Sequence, residues 1–200
     1  KNLSEFILIM KKPQTHISGL ITLVTVFFFW GFLAASNGVF IPFCKKYFSL
    51  SQFQSQLIDT AFYGAYYFGA LFLFLYSSRK NQDIVNQWGY KTTIIYGLAI
   101  SSIGAALMIP AIKLGSFSFI LLSLFIIAIG FCLQQTSANP FTISMGQPET
   151  GAHRLNLAGG INSLGTTIGP IILSLLLFGG ITNTTTEIQN INTLYIFLAI

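Results

Sequence analysis

Charged residues are missing from long stretches of this chain, and what fills those stretches predicts membrane-spanning helices. No charge lies between His16 and Lys45, between Lys91 and Lys113, between Lys113 and Glu149, or between Arg154 and Glu187. Between Lys46 and Arg79 the only charge is Asp59. A helix needs about 20 mostly apolar residues to cross about 30 Å of hydrocarbon, and a soluble core has no use for so many uncharged runs of that length. The apolar positions are continuous rather than alternating, which excludes the strands of about 10 residues that build a β-barrel. The pattern predicts spans over 18–43, 52–77, 92–112, 118–145 and 155–178. The run 191–200 is too short to cross and reads as an incomplete sixth helix, so the sequence is expected to be a fragment of a longer protein. The first run is too long, and followed by too many others, to be a signal peptide.

Composition agrees with this all-α membrane class. Hydrophobic residues make up 53% of the 200 and charged residues 8%, against roughly 25% charged in a soluble domain. The net charge of +5 comes from basic residues set singly or in pairs between apolar runs, with no basic stripe for nucleic acid. Their distribution instead sets topology. Lys1, Lys11, Lys12, Arg79, Lys80, Lys91 and Arg154 fall on one side, and Lys45, Lys46 and Lys113 on the other. The first set should face the cytoplasm, with the N-terminus inside. Cys44 and Cys132 lie in different spans without metal-ligand spacing and are expected to be free, packed thiols.

Polar residues at membrane depth cost several kcal/mol unless satisfied, so they turn toward a partner helix or a wet cavity. On the fourth span Gln135, Asn139 and Thr142 share one helix face, and Pro140 should kink the helix. On the fifth, Gly159, Asn162, Thr166 and Gly169 share a face, with small residues that permit close approach. Helix–helix hydrogen bonding explains any one of these residues. Gln135, Asn139 and Asn162 together point to a shared cavity, because two carboxamide clusters on consecutive spans exceed what packing needs. On the second span Asp59, Tyr63 and Tyr66 share a face. Asp59 is the only acid in any span, which makes it a candidate coupling residue; simple hydration near the span's outer end is the alternative. On the first span Trp30, Ala34 and Asn37 share a face, with Trp30 either core packing or a stacking platform for a sugar ring. No catalytic constellation, metal-ligand cluster or phosphate-binding glycine loop is present, so neither an enzyme nor an ATP-driven pump is expected, and no cofactor.

Several motifs resemble the fucose and glucose/galactose sugar symporters of the major facilitator superfamily. Phe28-Phe29-Trp30-Gly31 and Asn37-Gly38-Val39-Phe40-Ile41-Pro42 look like their first helix, and Ala61-Phe62-Tyr63-Gly64-Ala65-Tyr66 their second. Ser137-Ala138-Asn139-Pro140-Phe141 resembles the end of the fourth. His153-Arg154-Leu155-Asn156-Leu157-Ala158, followed by Ile161-Asn162-Ser163-Leu164-Gly165, is similar to the start of the fifth. The loop signature between helices two and three is matched only at Gly89-Tyr90-Lys91, with Asn86 where an Asp is expected. The resemblance implies the six-helix N-terminal half (residues 1–200) of a twelve-helix transporter in a bacterial inner membrane, built from two inverted three-helix repeats. It implies a monosaccharide as substrate, H⁺ or Na⁺ as coupling ion, and a C-terminal half as partner in the lipid bilayer. Taken from the polar faces read above, the candidate substrate-binding residues are Trp30, Asn37, Tyr63, Gln135, Asn139 and Asn162, and the candidate coupling residue is Asp59. The fucose branch's acids on helices one and four would fall on Gly38 and Gln135, and its fifth-helix glutamine on Gly159; the asparagine match at Asn162 holds. Gln135 is the residue expected of the glucose/galactose branch. An uncoupled facilitator, a carrier of another small solute, a membrane scaffold and an intramembrane enzyme are the competing readings.

Overall fold

The computed structural model describes residues 16–178 together with residue 196. The predicted sixth run, 191–200, therefore lies almost wholly outside the described residues. Five long helices are each apolar enough to cross a membrane. They are α1 (Ile17–Tyr47), α2 (Gln52–Lys80), α4 (Tyr90–Lys113), α5 (Phe117–Ser144) and α6 (Gly151–Phe178), with a short α3 (Ile84–Trp88) between α2 and α4. No strand occurs among the described residues.

The helix ends carry local causes. Ser51 closes a capping box on α2, its hydroxyl accepting from the Gln54 N–H while the Gln54 carboxamide accepts from the Ser51 N–H. Ser116 caps α5 through the Phe119 N–H. Two predicted boundaries move by four residues. The first span continues past 43 to Tyr47 because the helix runs on through Pro42, and Lys45 and Lys46 then sit in its last turn, where cations complement the dipole. The fifth begins at Gly151 rather than 155, directly after a 3₁₀ turn at Pro148–Thr150. The connection between the predicted spans 52–77 and 92–112 is also shorter. Helix α2 continues to Lys80, Asn81 turns the chain at φ 49°, and Asp83 caps α3 by accepting from the Val85 N–H at 2.9 Å. Gly89, at φ 78°, ends α3 and opens α4 in a conformation that favours glycine.

The spans alternate in direction. The His16 N–H donates to the Met145 carbonyl at 3.1 Å, so the start of α1 and the end of α5 share one end of the bundle. The Tyr90 and Phe141 rings meet at 5.8 Å at that same end, and Phe48 and Phe117 meet at 6.1 Å at the other. The most extensive helix contacts are α4 with α5 and α1 with α6, followed by α2 with α5. First against fifth span, and fourth against second, is the exchange that two inverted triplets produce. The pairing is that of a helical bundle built from inverted three-helix repeats, as the resemblance implied.

Glycine sets the closeness of the two tightest pairs. A Cβ on Gly165 or Gly169 of α6 would lie 2.2 Å from the Phe28 carbonyl oxygen or 2.5 Å from that of Phe32. Between α4 and α5, a Cβ on Gly130 would meet the Ser101 hydroxyl at 2.2 Å. With no hydrophobic drive between helices in lipid, such backbone contact is what holds spans together. Cys44 and Cys132 are buried free thiols.

At the end that holds His16, Arg154 on α6 is buried and completes the C-terminus of α5. Its Nε donates to the Thr142 carbonyl at 3.0 Å, its Nη2 to the carbonyls of Ile143 and Gln147, and its Nη1 to the Thr150 hydroxyl at 2.7 Å. The last carbonyls of a helix have no partner within it and carry the negative end of the dipole. A guanidinium satisfies several of them at once.

Candidate functional site

Four spans converge on a cavity of about 370 Å³. Helix α1 contributes Trp30, Gly31 and Ala34; α2 contributes Phe62, Tyr63 and Tyr66; α5 contributes Phe131 and Gln135; α6 contributes Asn162 and Thr166. That volume lies within the range of about 300–1,000 Å³ typical of small-molecule sites. Aromatic walls with a few polar groups also match the usual lining of such sites.

Gln135 is half-buried, and its carboxamide has no hydrogen-bond partner among the described residues. It therefore offers one acceptor and two donor hydrogens to whatever enters. Asn162 is partly committed: its Nδ2 donates to the Phe27 carbonyl of α1 at 2.9 Å. That bond pins α6 to α1 beside Gly31, where a Cβ would lie only 2.1 Å from the Asn162 backbone oxygen. Tyr63 is 56% exposed and lines the cavity.

Trp30, Tyr63, Gln135 and Asn162 are thus brought together. The other three candidates are placed elsewhere. Asn139 is half-buried one turn along α5 from Gln135, about 6 Å further along the axis, and lines neither described cavity. Asn37 is buried and lines a second, larger cavity of about 750 Å³ on the other side of Trp30, with its Nδ2 unpaired among the described residues. Asp59 is half-buried, about 10 Å along α2 from its start. It makes no hydrogen bond to Tyr63, whose ring packs edge-on against Phe62 at 5.4 Å. Among the described residues no cluster of His, Cys, Asp and Glu could hold a metal ion.

Reading the pattern alone overlooks Gln134. Its side chain is almost fully buried, at 1% exposure, and both ends of the carboxamide are satisfied. The Trp30 Nε1–H donates to Gln134 Oε1 at 3.1 Å, and Gln134 Nε2 donates to Ser101 Oγ at 3.0 Å. The Ser101 hydroxyl in turn donates to the Ile127 carbonyl at 3.1 Å. The signal was present as a pair of consecutive glutamines. Adjacent residues on a helix point about 100° apart, so only one of the two can share the cavity face, and the pattern cannot say where the other goes.

No family model matches the chain. Among curated proteins it is 37% identical over 170 residues to a glucose/galactose transporter of Brucella abortus, covering 85% of this chain and 39% of that protein. It is likewise 37% identical over 170 residues to a putative glucose/galactose transporter of Helicobacter pylori, covering 84% and 39%. It is 32% identical over 160 residues to the L-fucose-proton symporter of Escherichia coli, covering 80% and 35%. The chain thus spans about two-fifths of the length of these relatives. Among solved structures it superposes on the major facilitator superfamily transporter FucP in the outward conformation. The TM-score is 0.71 and the identity 27%, over 90% of this chain and 46% of that one. These relatives are transporters and symporters rather than enzymes.

Proposed function

From this chain's membership of the major facilitator superfamily, beside the glucose/galactose transporters and the L-fucose-proton symporters, we propose that it is the N-terminal half of a monosaccharide carrier. The sugar binds at the cavity between α1, α2, α5 and α6, and a second half of the same protein closes the site from the opposite side. Two halves rocking about a site near the midplane give alternating access. The N-terminus faces the cytoplasm, as the excess of Lys and Arg at the His16 end supports.

One observation carries the reading: the carboxamide of Gln135, without a hydrogen-bond partner among the described residues, lines the same 370 Å³ cavity as Asn162 and the Trp30 indole. A sugar hydroxyl both donates and accepts, and a carboxamide does the same. An indole ring supplies an apolar surface for the C–H face of a pyranose. Cation symport is the mode of coupling. No acid lines this cavity among the described residues, and Asp59 is the only acid on a described membrane helix, which makes it this half's candidate for protonation. An uncoupled facilitator is favoured by one observation, the side-chain-free Gly38 with nothing within 4 Å of its Cβ position.

The test is binding of glucose, galactose and fucose to purified full-length protein, by calorimetry. Gln135→Ala and Asn162→Ala should each weaken the preferred sugar by about 5- to 100-fold, the scale of one unpaired buried polar group. Unchanged affinity in both variants would remove sugar from this cavity.

A further inference from the structure

We propose that Gln134 is a positioning residue for the sugar site: it fixes the Trp30 indole so that the ring's carbon surface, and not its N–H, is presented to the substrate. The inference rests on the reading of the 370 Å³ cavity as a sugar site. Trp30 lines both cavities, whereas Gln134 and Ser101 line only the larger one. The indole N–H donates to Gln134, so the polar edge of the ring is directed away from the smaller cavity, toward α4 and α5. What remains for the cavity holding Gln135 and Asn162 is carbon.

The hydrogen bond holds the ring because its acceptor is buried and tied at its other end. Gln134 is 1% exposed, and its other end is fixed to Ser101, which is fixed to the α5 backbone at Ile127. Every bond in this series runs in one donor-to-acceptor direction, from Trp30 to the Ile127 carbonyl. A Cβ on Gly97 of α4 would come within 2.5 Å of Gln134 Cγ, and one on Gly130 within 2.2 Å of the Ser101 hydroxyl. The two glycines let the helices close tightly around the carboxamide. On the opposite side the Phe27 ring lies 4.7 Å from Trp30, tilted at 48°. An aromatic platform gains specificity from its orientation, and here orientation is set by one buried amide on a neighbouring span. A buried indole N–H also needs an acceptor, whatever its function, so the experiment has to separate positioning from simple satisfaction.

The experiment uses full-length protein labelled with ¹⁵N-tryptophan. The Trp30 indole resonance is assigned by its disappearance in Trp30→Phe. Gln134→Met keeps the length and volume of the side chain and removes the acceptor. It should move the Trp30 indole proton resonance upfield and raise the Kd for the preferred hexose about three- to tenfold, the scale of one neutral hydrogen bond. In the Trp30→Phe background, Gln134→Met should change the sugar Kd by less than twofold, because the group it acts through is gone. Should Gln134→Met fail to fold, Ser101→Ala, which frees the far end of the carboxamide, is read in the same way. An unmoved indole resonance would overturn the proposal. So would a moved resonance with an unchanged Kd, or equal effects of Gln134→Met with and without the indole. If the wild-type protein binds none of glucose, galactose and fucose, the sugar reading itself falls, and the proposal with it.

Discussion

Gly31→Ala puts one methyl group where the structure has no room for it, and its effect can be worked from the geometry. The added Cβ would lie 2.1 Å from the Asn162 backbone oxygen, 2.9 Å from its carbonyl carbon and 3.1 Å from Thr166 Cγ2. Ordinary contact begins at 3.4 Å, so α6 has to retreat by more than an ångström, and the obstacle is backbone rather than a side chain that can rotate. Overpacking of this kind costs about 1–3 kcal/mol. The same retreat lengthens the 2.9 Å bond from Asn162 Nδ2 to the Phe27 carbonyl, at about 1 kcal/mol more. The control lies two turns along the same helix face. At Gly38 nothing stands within 4 Å of the added Cβ, and Ala there should be neutral or stabilising by up to about 1 kcal/mol through helix propensity. The assay is thermal melting of purified full-length protein, with sugar affinity measured alongside. Gly31→Ala should melt lower and bind more weakly, because Gly31 and Asn162 line the same cavity; Gly38→Ala should do neither. Equal melting temperatures for the two variants would refute the reasoning that backbone contact, not side-chain packing, joins α1 to α6.

The remaining predictions concern charge. Arg154→Met leaves the α5 terminal carbonyls at Thr142 and Ile143 without their donor. It should cost at least about 3 kcal/mol, since hydrogen bonds from a charged group contribute about 1.5–3 kcal/mol each. Arg154→Lys should recover little of that, because a lysine lacks the planar fork, and a thermal melt of the three proteins checks both statements. Asp59→Asn should abolish sugar accumulation driven by a pH gradient while leaving energy-independent exchange intact, measured in proteoliposomes of the full-length protein. Accumulation at the wild-type level would remove Asp59 as the coupling site.

The five helices were legible in the chain because one physical quantity, the thickness of hydrocarbon, sets how long a run must stay uncharged. Their alternation was legible too, since the basic residues of Lys91 and Arg154 recur at the end that holds His16. The helices extend four residues beyond the predicted spans at Tyr47 and Gly151 because hydropathy marks where lipid ends, not where backbone hydrogen bonding ends. Helix α3 was read as loop, since five residues give no periodic signal and its Asp83 cap is one short side chain.

The choice of neighbours was beyond the pattern. A span that is hydrophobic around its whole circumference carries no stripe to say which face meets protein and which meets lipid. Gln135 and Asn162 could be placed on faces of their own helices, but only the packing of four spans set them on one cavity and left Asn139 outside it. The same packing divided two adjacent glutamines, turning Gln134 inward to Trp30 and Ser101 while Gln135 found no partner among the described residues. It also turned Arg154, counted in the sequence as a topological charge, into the cap of another helix. Composition and spacing fix what each helix is because solvent acts on it alone; partners are fixed by where small residues let two backbones touch, and that depends on both helices at once.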